Sequence, residues 1–335
     1  MATTIRDIAK KAGVGVGTVS RVINNSPAVS PPTRSRVLSV IQKLNYIPNA
    51  NARRLSLGKT LNIAVIVPFF TIPSVVERLR GIEATLANSE YDLVLYNVES
   101  TERRDYCFHY APRLERVDGM LIISLSPSDV DVTRFLQSRV PTVLIDAYHD
   151  QLHRIVIDDV LGGQQATEHL LSLGHTRIAF MGDVLQNVFN FCSTSNRFEG
   201  YRRALAKANL PFYPEYHTQS PHGRVQARQM ALTLLALPTP PTAIFASSDT
   251  HAFGVLEAAK QLGIQVPNEL SIIGYDDIEL AEYLGLTTIR QPLFKSGRCG
   301  AELLLNTIKN RPATPIKRLL PTELVIRQTT SRLHS

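Results

Sequence analysis

Apolar residues recur at Ile5, Ile8, Ala9 and Ala12, the i, i+3, i+4, i+7 spacing that lays one stripe along a helix. Thr4 stands where it can cap that helix, with Asp7 at the reciprocal position of a capping box. Gly13 tolerates the positive φ that stops a helix. A second short helix is expected from about residue 15 to 24, with Val19, Val22 and Ile23 inward. Ser30-Pro31 marks a third start, because a proline in the first helical turn loses no hydrogen bond. Val37, Ile41 and Leu44 continue its inner face and Pro48 ends it. Beyond Lys59 the period changes. β-rich runs at 62–67, 91–98, 120–124, 142–146, 155–157, 178–181, 243–246 and 271–274 alternate with helical patterns at 74–87, 162–173, 197–209, 225–237 and 250–262. This βαβα order predicts parallel sheets covered on both faces. So many units are expected to divide into two doubly wound α/β lobes behind an N-terminal three-helix module.

Charge sharpens that division. Of 36 Lys and Arg in 335 residues, nine fall in the first 58 (Arg6, Lys10, Lys11, Arg21, Arg34, Arg36, Lys43, Arg53 and Arg54), where Asp7 is the one acid. The rest of the chain is nearly balanced, with 27 basic and 28 acidic residues. A patterned basic module points to a polyanion partner, since each cation near a phosphate releases a condensed counterion. Cys107, Cys192 and Cys299 are far apart and show no metal-ligand spacing, so reduced thiols in a cytoplasmic protein are expected. No signal peptide is evident, and the longest apolar run, 63–70, contains Pro68 and is far short of the ~20 residues that span a bilayer. No dinucleotide fingerprint, phosphate-binding loop, nucleophile elbow or zinc-protease motif occurs. An enzyme, a cofactor and a metal are therefore not expected.

Two helices joined by a tight glycine-containing turn fit a helix-turn-helix. The outward residues of the second are Val16, Gly17, Thr18, Ser20, Arg21 and Asn24. Arg21 can donate two hydrogen bonds to guanine O6 and N7. Val16 suits a thymine methyl, Gly17 permits close backbone approach, and Thr18, Ser20 and Asn24 suit phosphates. Periodicity alone is equally met by a small basic bundle with no nucleic-acid role.

The words D-I-A-K-x-A-G-V, T-V-S-R-V-I-N, V-S-x-x-T-R and L-N-Y-x-P-N-x-x-A-R-x-L run through this segment without a gap. With them it resembles the LacI/GalR repressor family. The resemblance implies that Val16 and Gly17 select the operator. That pair is unusually featureless, which shifts weight onto Arg21. Ile5 and Thr33 join the DNA-contacting set. The linker 49–57 is too short for a stable isolated helix in water. The resemblance implies that it folds only when two copies meet in the minor groove, where Leu55 wedges between base pairs and bends the duplex, with Asn49, Arg53 and Arg54 on the backbone. From the residues alone, Leu55 reads as well as an interdomain packing residue.

The same family likeness continues in G-H-x-R-I-A at 174–179, R-x-x-G-Y at 197–201, S-D-x-x-A-x-G at 248–254, V-P-x-E-L-S-I-I-G-Y-D-D at 266–277, L-T-T-I-R-Q-P at 286–292 and E-L-V-I-R-Q-T-T at 323–330. It implies a helix-turn-helix domain over 1–48, a hinge over 49–59 and an effector domain over 60–335 that is similar to periplasmic sugar-binding proteins. The first lobe is expected at about 60–160 and 292–320, the second at about 161–291 and 321–335. Ligands of open α/β sheets sit beyond the carboxyl ends of strands. Phe69, Phe70, Ser124, Asp146, Ser248, Asp249 and Asp276 fall there, with Arg197 opening a helix nearby. Carboxylates and a guanidinium suit polyols, and Phe69 or Phe70 suits stacking on a sugar or base. By position in the family's motifs, Arg197 and Asp276 hold the effector, and Phe191 and Ser193, like Ser74 and Val75, fall where contacts vary. Asp249 serves equally as a helix cap, Asp276 or Asp277 as a bond to loop amides, and Phe69 and Phe70 as core or dimer contacts. The chain has no Trp to stack on a ligand. The expected function is an allosteric repressor that reads a pseudo-palindromic operator. Its effector would be a sugar or nucleoside-like metabolite. A homodimer is expected, since no leucine heptads follow the last strand.

Overall fold

Thr4 opens the first helix as its capping chemistry demands. Its backbone N–H donates to Asp7 Oδ2 at 2.9 Å, and its hydroxyl accepts from the Asp7 backbone N–H at 3.4 Å. The computed structural model describes residues 3–46, 58–113, 115–185, 189 and 191–333. They belong to two units, Met1–Leu61 and Asn62–Ser335. The first holds α1 (Ile5–Ala12), α2 (Val16–Ile23) and α3 (Pro31–Lys43) around Ile8, Ala9, Ala12, Val19, Val22 and Val37. Gly13 takes φ 64° between the first two. Ser30 occupies the N-cap of α3, but its hydroxyl donates to the Thr33 hydroxyl at 3.0 Å instead of capping a backbone N–H. The helix ends at Lys43, before Pro48, and Asn45 turns left-handed at φ 44°. Pro48, Asn49, Arg53, Arg54 and Leu55 lie outside the described residues.

In the second unit, strands form where apolar runs are buried on both faces. β1 (Asn62–Pro68), β2 (Asp92–Val98), β3 (Gly119–Ile123), β4 (Thr142–Ile145), β5 (His153–Ile157) and β11 (Lys317–Leu320) pair in the order β11-β5-β4-β3-β1-β2, all parallel. Alternate residues of β1 face opposite layers. Ile63, Val65 and Val67 join α4 (Pro73–Leu86) and α12 (Leu293–Asn310), while Ala64 and Ile66 join α5 (Thr101–Tyr110) and α6 (Asp129–Ser138). The second sheet repeats the plan. β6 (Ile178–Asp183), β7 (His217–Ser220), β8 (Ala243–Ala246), β9 (Ser271–Asp276), β10 (Thr287–Arg290) and β12 (Glu323–Val325) run in the order β12-β10-β9-β8-β6-β7, with only β10 and β12 antiparallel. Helices α7 (Asp159–Ser172) and α8 (Ser193–Lys207) cover one face, α9 (Arg224–Leu235) and α10 (Asp249–Leu262) the other, and the short α11 (Glu279–Tyr283) follows β9. The chain crosses between sheets after β5, after β10 and between β11 and β12. These are the two doubly wound lobes that the βαβα pattern implies. Among the described residues, no helix is long and apolar enough to cross a membrane.

Four strands (β7, β10, β11 and β12) and four helices (α5, α6, α11 and α12) lie outside the runs that the apolar pattern predicts. β7, β11 and β12 are sheet-edge strands with little buried apolar surface. β10 fills its buried positions largely with Thr287 and Thr288. The buried stripe of α12 is largely small: Ser296, Gly297, Cys299, Gly300 and Ala301. A Cβ on Gly297 would lie 1.9 Å from the Arg78 carbonyl oxygen, so α4 and α12 meet backbone to backbone. That contact seats Arg78 beneath the cleft.

Candidate functional site

On α2, Val19 and Val22 turn into the core, while Val16, 43% exposed, Gly17 and Arg21 face solvent. Thr18, Ser20 and Asn24 are half-buried along the same face. A Cβ at Gly17 would meet nothing within 4 Å, so packing does not require glycine there. Asn24 Oδ1 is buried without a hydrogen bond among the described residues. Ile5 is half-buried against the core, and Thr33 is held by Ser30. Arg34 is spent locally, donating to Asn25 Oδ1 at 2.8 Å and to the Ser26 carbonyl. Arg21 is left as the long cation at the middle of the exposed face.

In the second unit the unusual backbone gathers at strand ends. Phe69 (φ 42°) follows β1, Ser124 (55°) follows β3, Asp146 (55°) follows β4, and Asp276 (117°) and Asp277 (57°) end β9. Non-glycine residues in this region cost on the order of 1–3 kcal/mol each, and such strain concentrates at functional sites. Four of the five are residues that the sequence places at the ligand cleft.

The side chains of Ser124, Asp146 and Asp276 belong to one chain of hydrogen bonds, closed by one ion pair, between the lobes. The Ser124 hydroxyl donates to Asp146 Oδ2 at 3.0 Å, and Arg78 Nη2 donates to the same oxygen at 2.8 Å. Arg78 Nη2 also donates to Gln291 Oε1 at 3.1 Å, and Gln291 Nε2 donates to Asp276 Oδ1 at 2.5 Å. Asp276 Oδ1 lies 3.6 Å from Arg197 Nη1. Arg197 Nε donates to Asp159 Oδ1 at 2.8 Å and Nη1 to the Ser247 carbonyl at 2.6 Å, with the guanidinium 3.7 Å from the centroid of the Tyr275 ring. Arg78 is only 2% exposed. Sequence reasoning missed Arg78, Asp159 and Gln291. The available signal was a charged residue, Arg78, inside the buried stripe of a helix.

Burial sets the electrostatics. It raises the Asp159 carboxyl to about 6, against the pull of Arg197. Burial also raises Asp276, although Arg197 and Arg78 oppose it. Burial works against the charge of Arg197, but Asp159 and Asp276 outweigh it and hold the guanidinium protonated.

The other expected site residues are placed as follows. Arg197 sits in the second turn of α8, which begins at Ser193, so it does not open the helix. Ser193 is half-buried at that N-terminus. The cap of α10 is Ser248, whose hydroxyl accepts from the His251 N–H at 3.2 Å; Asp249 is not the cap. Asp249 is fully buried, accepting from the Thr288 hydroxyl at 2.6 Å and the Ile278 N–H at 2.9 Å, so it braces the loops beside Asp276. Asp277 pairs with Arg290 at 2.6 Å and Arg327 at 2.7 Å, turned to side chains and not to loop amides. Phe69 meets Phe189 edge-on at 5.7 Å, and Phe189 stacks on Phe191 at 5.3 Å, with Phe189 and Phe191 packed against the apolar core around Ile66 and Ile122. Phe70 is exposed, its N–H bonded to Asn97 Oδ1 at 3.1 Å. A cavity of about 20 Å³ remains between Asp146, Asp159, Ser193 and Asn196, near the size of one water. A larger cavity of about 320 Å³, lined by Arg139, Thr142, His153 and Arg311, lies at the opposite ends of β4 and β5, away from this convergence of charge.

Known proteins share this plan. Residues 4–49 match the family described as bacterial regulatory proteins, lacI family, and residues 167–330 match the periplasmic binding protein-like domain. The chain is 32% identical to the probable HTH-type transcriptional repressor ExuR of Bacillus subtilis, over 98% of this chain and 99% of that protein. It is 35% identical to the ribose operon repressor of Escherichia coli, over 96% and 98%. Among solved structures it is similar to the lac repressor dimer bound to operator and the anti-inducer ONPF, with a TM-score of 0.87 and 27% identity over 99% of this chain and 100% of that one.

Proposed function

The chain belongs to the LacI family of bacterial regulatory proteins, and from that premise we propose that it is a cytoplasmic, dimeric transcriptional repressor whose grip on its operator is set by a small molecule in the cleft. Each helix-turn-helix reads one half of a pseudo-palindromic site. Arg21 makes the base contact, Val16 and Gly17 lie against base edges, and Thr18, Ser20, Asn24, Ile5 and Thr33 fix register on the backbone. Asn49, Arg53 and Leu55 of the linker act at the operator centre, with Leu55 as the wedge. The domain boundaries are those of the sequence reading, with the hinge at 49–59.

One observation carries the sensing half of this reading: the chain of bonds from Ser124 through Asp146, Arg78, Gln291, Asp276 and Arg197 to Asp159. It joins groups of both lobes through buried, charge-assisted contacts. A ligand with adjacent hydroxyls can take over such bonds two at a time, so ligand and network compete for the same donors and acceptors. Exchanging one set for the other changes what holds the lobes together. That is the two-state element that allostery needs. The carboxylate-rich lining suits a sugar or nucleoside-like effector, with Phe69 and Phe191 offering apolar faces. The sugar-operon repressors among its relatives agree with this class. Ser193, Phe70, Ser248 and Asp249 complete the set, the last two through the loops they brace.

A thermal-shift screen over pentoses, hexoses, uronic acids, nucleosides and purines should yield a ligand that raises the melting temperature of the 62–335 unit by mass action. With that ligand, Arg197→Ala should abolish the change in operator affinity measured by fluorescence anisotropy while leaving operator binding itself within about twofold. A full effector response in that variant removes Arg197 from the site. Absence of sequence-specific DNA binding by the wild type overturns the repressor reading altogether.

A further inference from the structure

The second lobe carries a cluster that the cleft network does not use. Asp183 ends β6, His222 lies on the loop after β7, and His251 stands in the first turn of α10. His222 Nδ1 is 3.0 and 3.3 Å from the two Asp183 oxygens, and His251 Nε2 is 3.4 Å from Asp183 Oδ1. Donor atoms of the three residues all lie within 4.8 Å of one another. His251 is fully buried and is held from its other side, with Nδ1 2.7 Å from Ser248 Oγ and 3.3 Å from Ser247 Oγ. The Thr194 hydroxyl donates to Asp183 Oδ2 at 3.4 Å. The Nε2 atoms of both histidines are buried, yet neither makes a hydrogen bond among the described residues. Buried polar atoms ordinarily have partners, and the orphaned His251 Nε2, aimed at Asp183 beside His222 Nδ1, calls for a shared ligand.

We infer that Asp183, His222 and His251 bind a divalent transition-metal ion of the zinc class, leaving one coordination position open. Bonds of about 2.1 Å at tetrahedral angles set donor atoms roughly 3.4 Å apart. The Asp183–His251 separation meets that value, and the Asp183–His222 separations fall within a few tenths of it. Two imidazoles and a carboxylate select zinc, cobalt or nickel over magnesium or calcium, which take oxygen ligands. Ser247 and Ser248 supply the outer bond that fixes a ligating imidazole. A plain Asp–His hydrogen bond accounts for His222 but leaves His251 turned toward Asp183 with its bond unmade. Separations of 39 and 29 residues hide such a site from any spacing rule.

The inference does not depend on the repressor reading, and full-length protein tests it. After stripping with EDTA, titration with Co²⁺ should saturate at one equivalent per chain with the strong visible bands of low-coordinate cobalt. Zn²⁺ should then displace the colour. One equivalent of Zn²⁺ should raise the melting temperature of the wild type. His222→Gln and Asp183→Asn should each weaken Co²⁺ binding by roughly tenfold or more, with the metal-free melting temperature held within a few degrees. Failure of the wild type to bind one equivalent, or undiminished affinity in both variants, overturns the site. Operator binding is measured separately, and its loss counts against the repressor and not against the metal.

Discussion

Asp159 shares the buried Arg197 guanidinium with Asp276, and this makes its ionisation a property of the fold. A carboxyl raised to about 6 favours folding fully only below its ordinary value near 3.8; that contribution is lost as pH rises through about 6. The melting temperature should therefore fall on this account between about pH 4 and pH 6. Asp159→Asn cannot titrate but keeps an oxygen to accept from Arg197 Nε, so it should flatten that part of the curve. An unchanged slope would mean that Asp159 ionises normally beside Arg197. At the other end of the chain, Arg21→Ala should cost ~1–3 kcal/mol of operator binding and relax the preference at one base position, read by competition with single-base operator variants. Equal losses on all variants would make Arg21 a phosphate contact. The strand-end residues Ser124, Asp146 and Asp276 were legible because a strand's carboxyl end is visible in an apolar run. Arg78 and Gln291 were not. Arg78 shows only as a charge within a buried helical stripe, Gln291 only as a polar residue after a strand, and their partnership spans 213 residues. Nor does any sequence rule announce the left-handed backbone at Phe69 and Ser124, since neither residue type prefers it.

At the scale of elements, helix pairs decide where the site's charges stand. A Cβ on Gly163 of α7 would lie 2.2 Å from the Arg197 carbonyl oxygen of α8, so only glycine lets the two helices close at that point. Gly163→Ala forces backbone apart and should cost ~1–3 kcal/mol, a drop of several degrees in the melting temperature of the 62–335 unit, with weaker effector binding as Arg197 shifts. Gly17→Ala on α2 gives the opposite expectation. It meets open space, gains up to ~1 kcal/mol of helix propensity, and should change operator preference without loss of stability. If Gly17→Ala destabilises the module or Gly163→Ala leaves the melting temperature alone, the packing account fails. The same contacts explain which elements the sequence concealed. Amphipathic α1 to α3 and the apolar strands of both lobes announce themselves through burial of large side chains. α12 interrupts its buried leucines, Leu293, Leu303 and Leu304, with Ser296, Gly297, Cys299, Gly300 and Ala301, and Gly297 closes on the backbone of α4, so its apolar stripe is broken along the sequence. The edge strands β11 and β12 bury little on either count.

At the scale of the whole molecule, charge and chemistry are divided between two units. Nine cations against one acid lie in the first 58 residues, and the buried ion network lies entirely beyond residue 61. On the proposed assignments, DNA binding and effector binding share no residue, and any influence of one on the other is a coupling free energy between separate sites. Such couplings are typically ~1–3 kcal/mol and are reciprocal by thermodynamic necessity. If the effector changes operator affinity by some factor, saturating operator must change effector affinity by the same factor, about 5- to 150-fold at these energies. The measurement is effector titration by calorimetry, on protein alone and on protein saturated with operator duplex, with a scrambled duplex as control. The buried network predicts in addition that Gln291→Leu, which severs Arg78 from Asp276, reduces this factor while both ligands still bind. An effector affinity identical with and without operator would make the cleft a binding site without regulatory consequence. A coupling factor untouched by Gln291→Leu would move the two-state element away from the Arg78–Gln291–Asp276 chain.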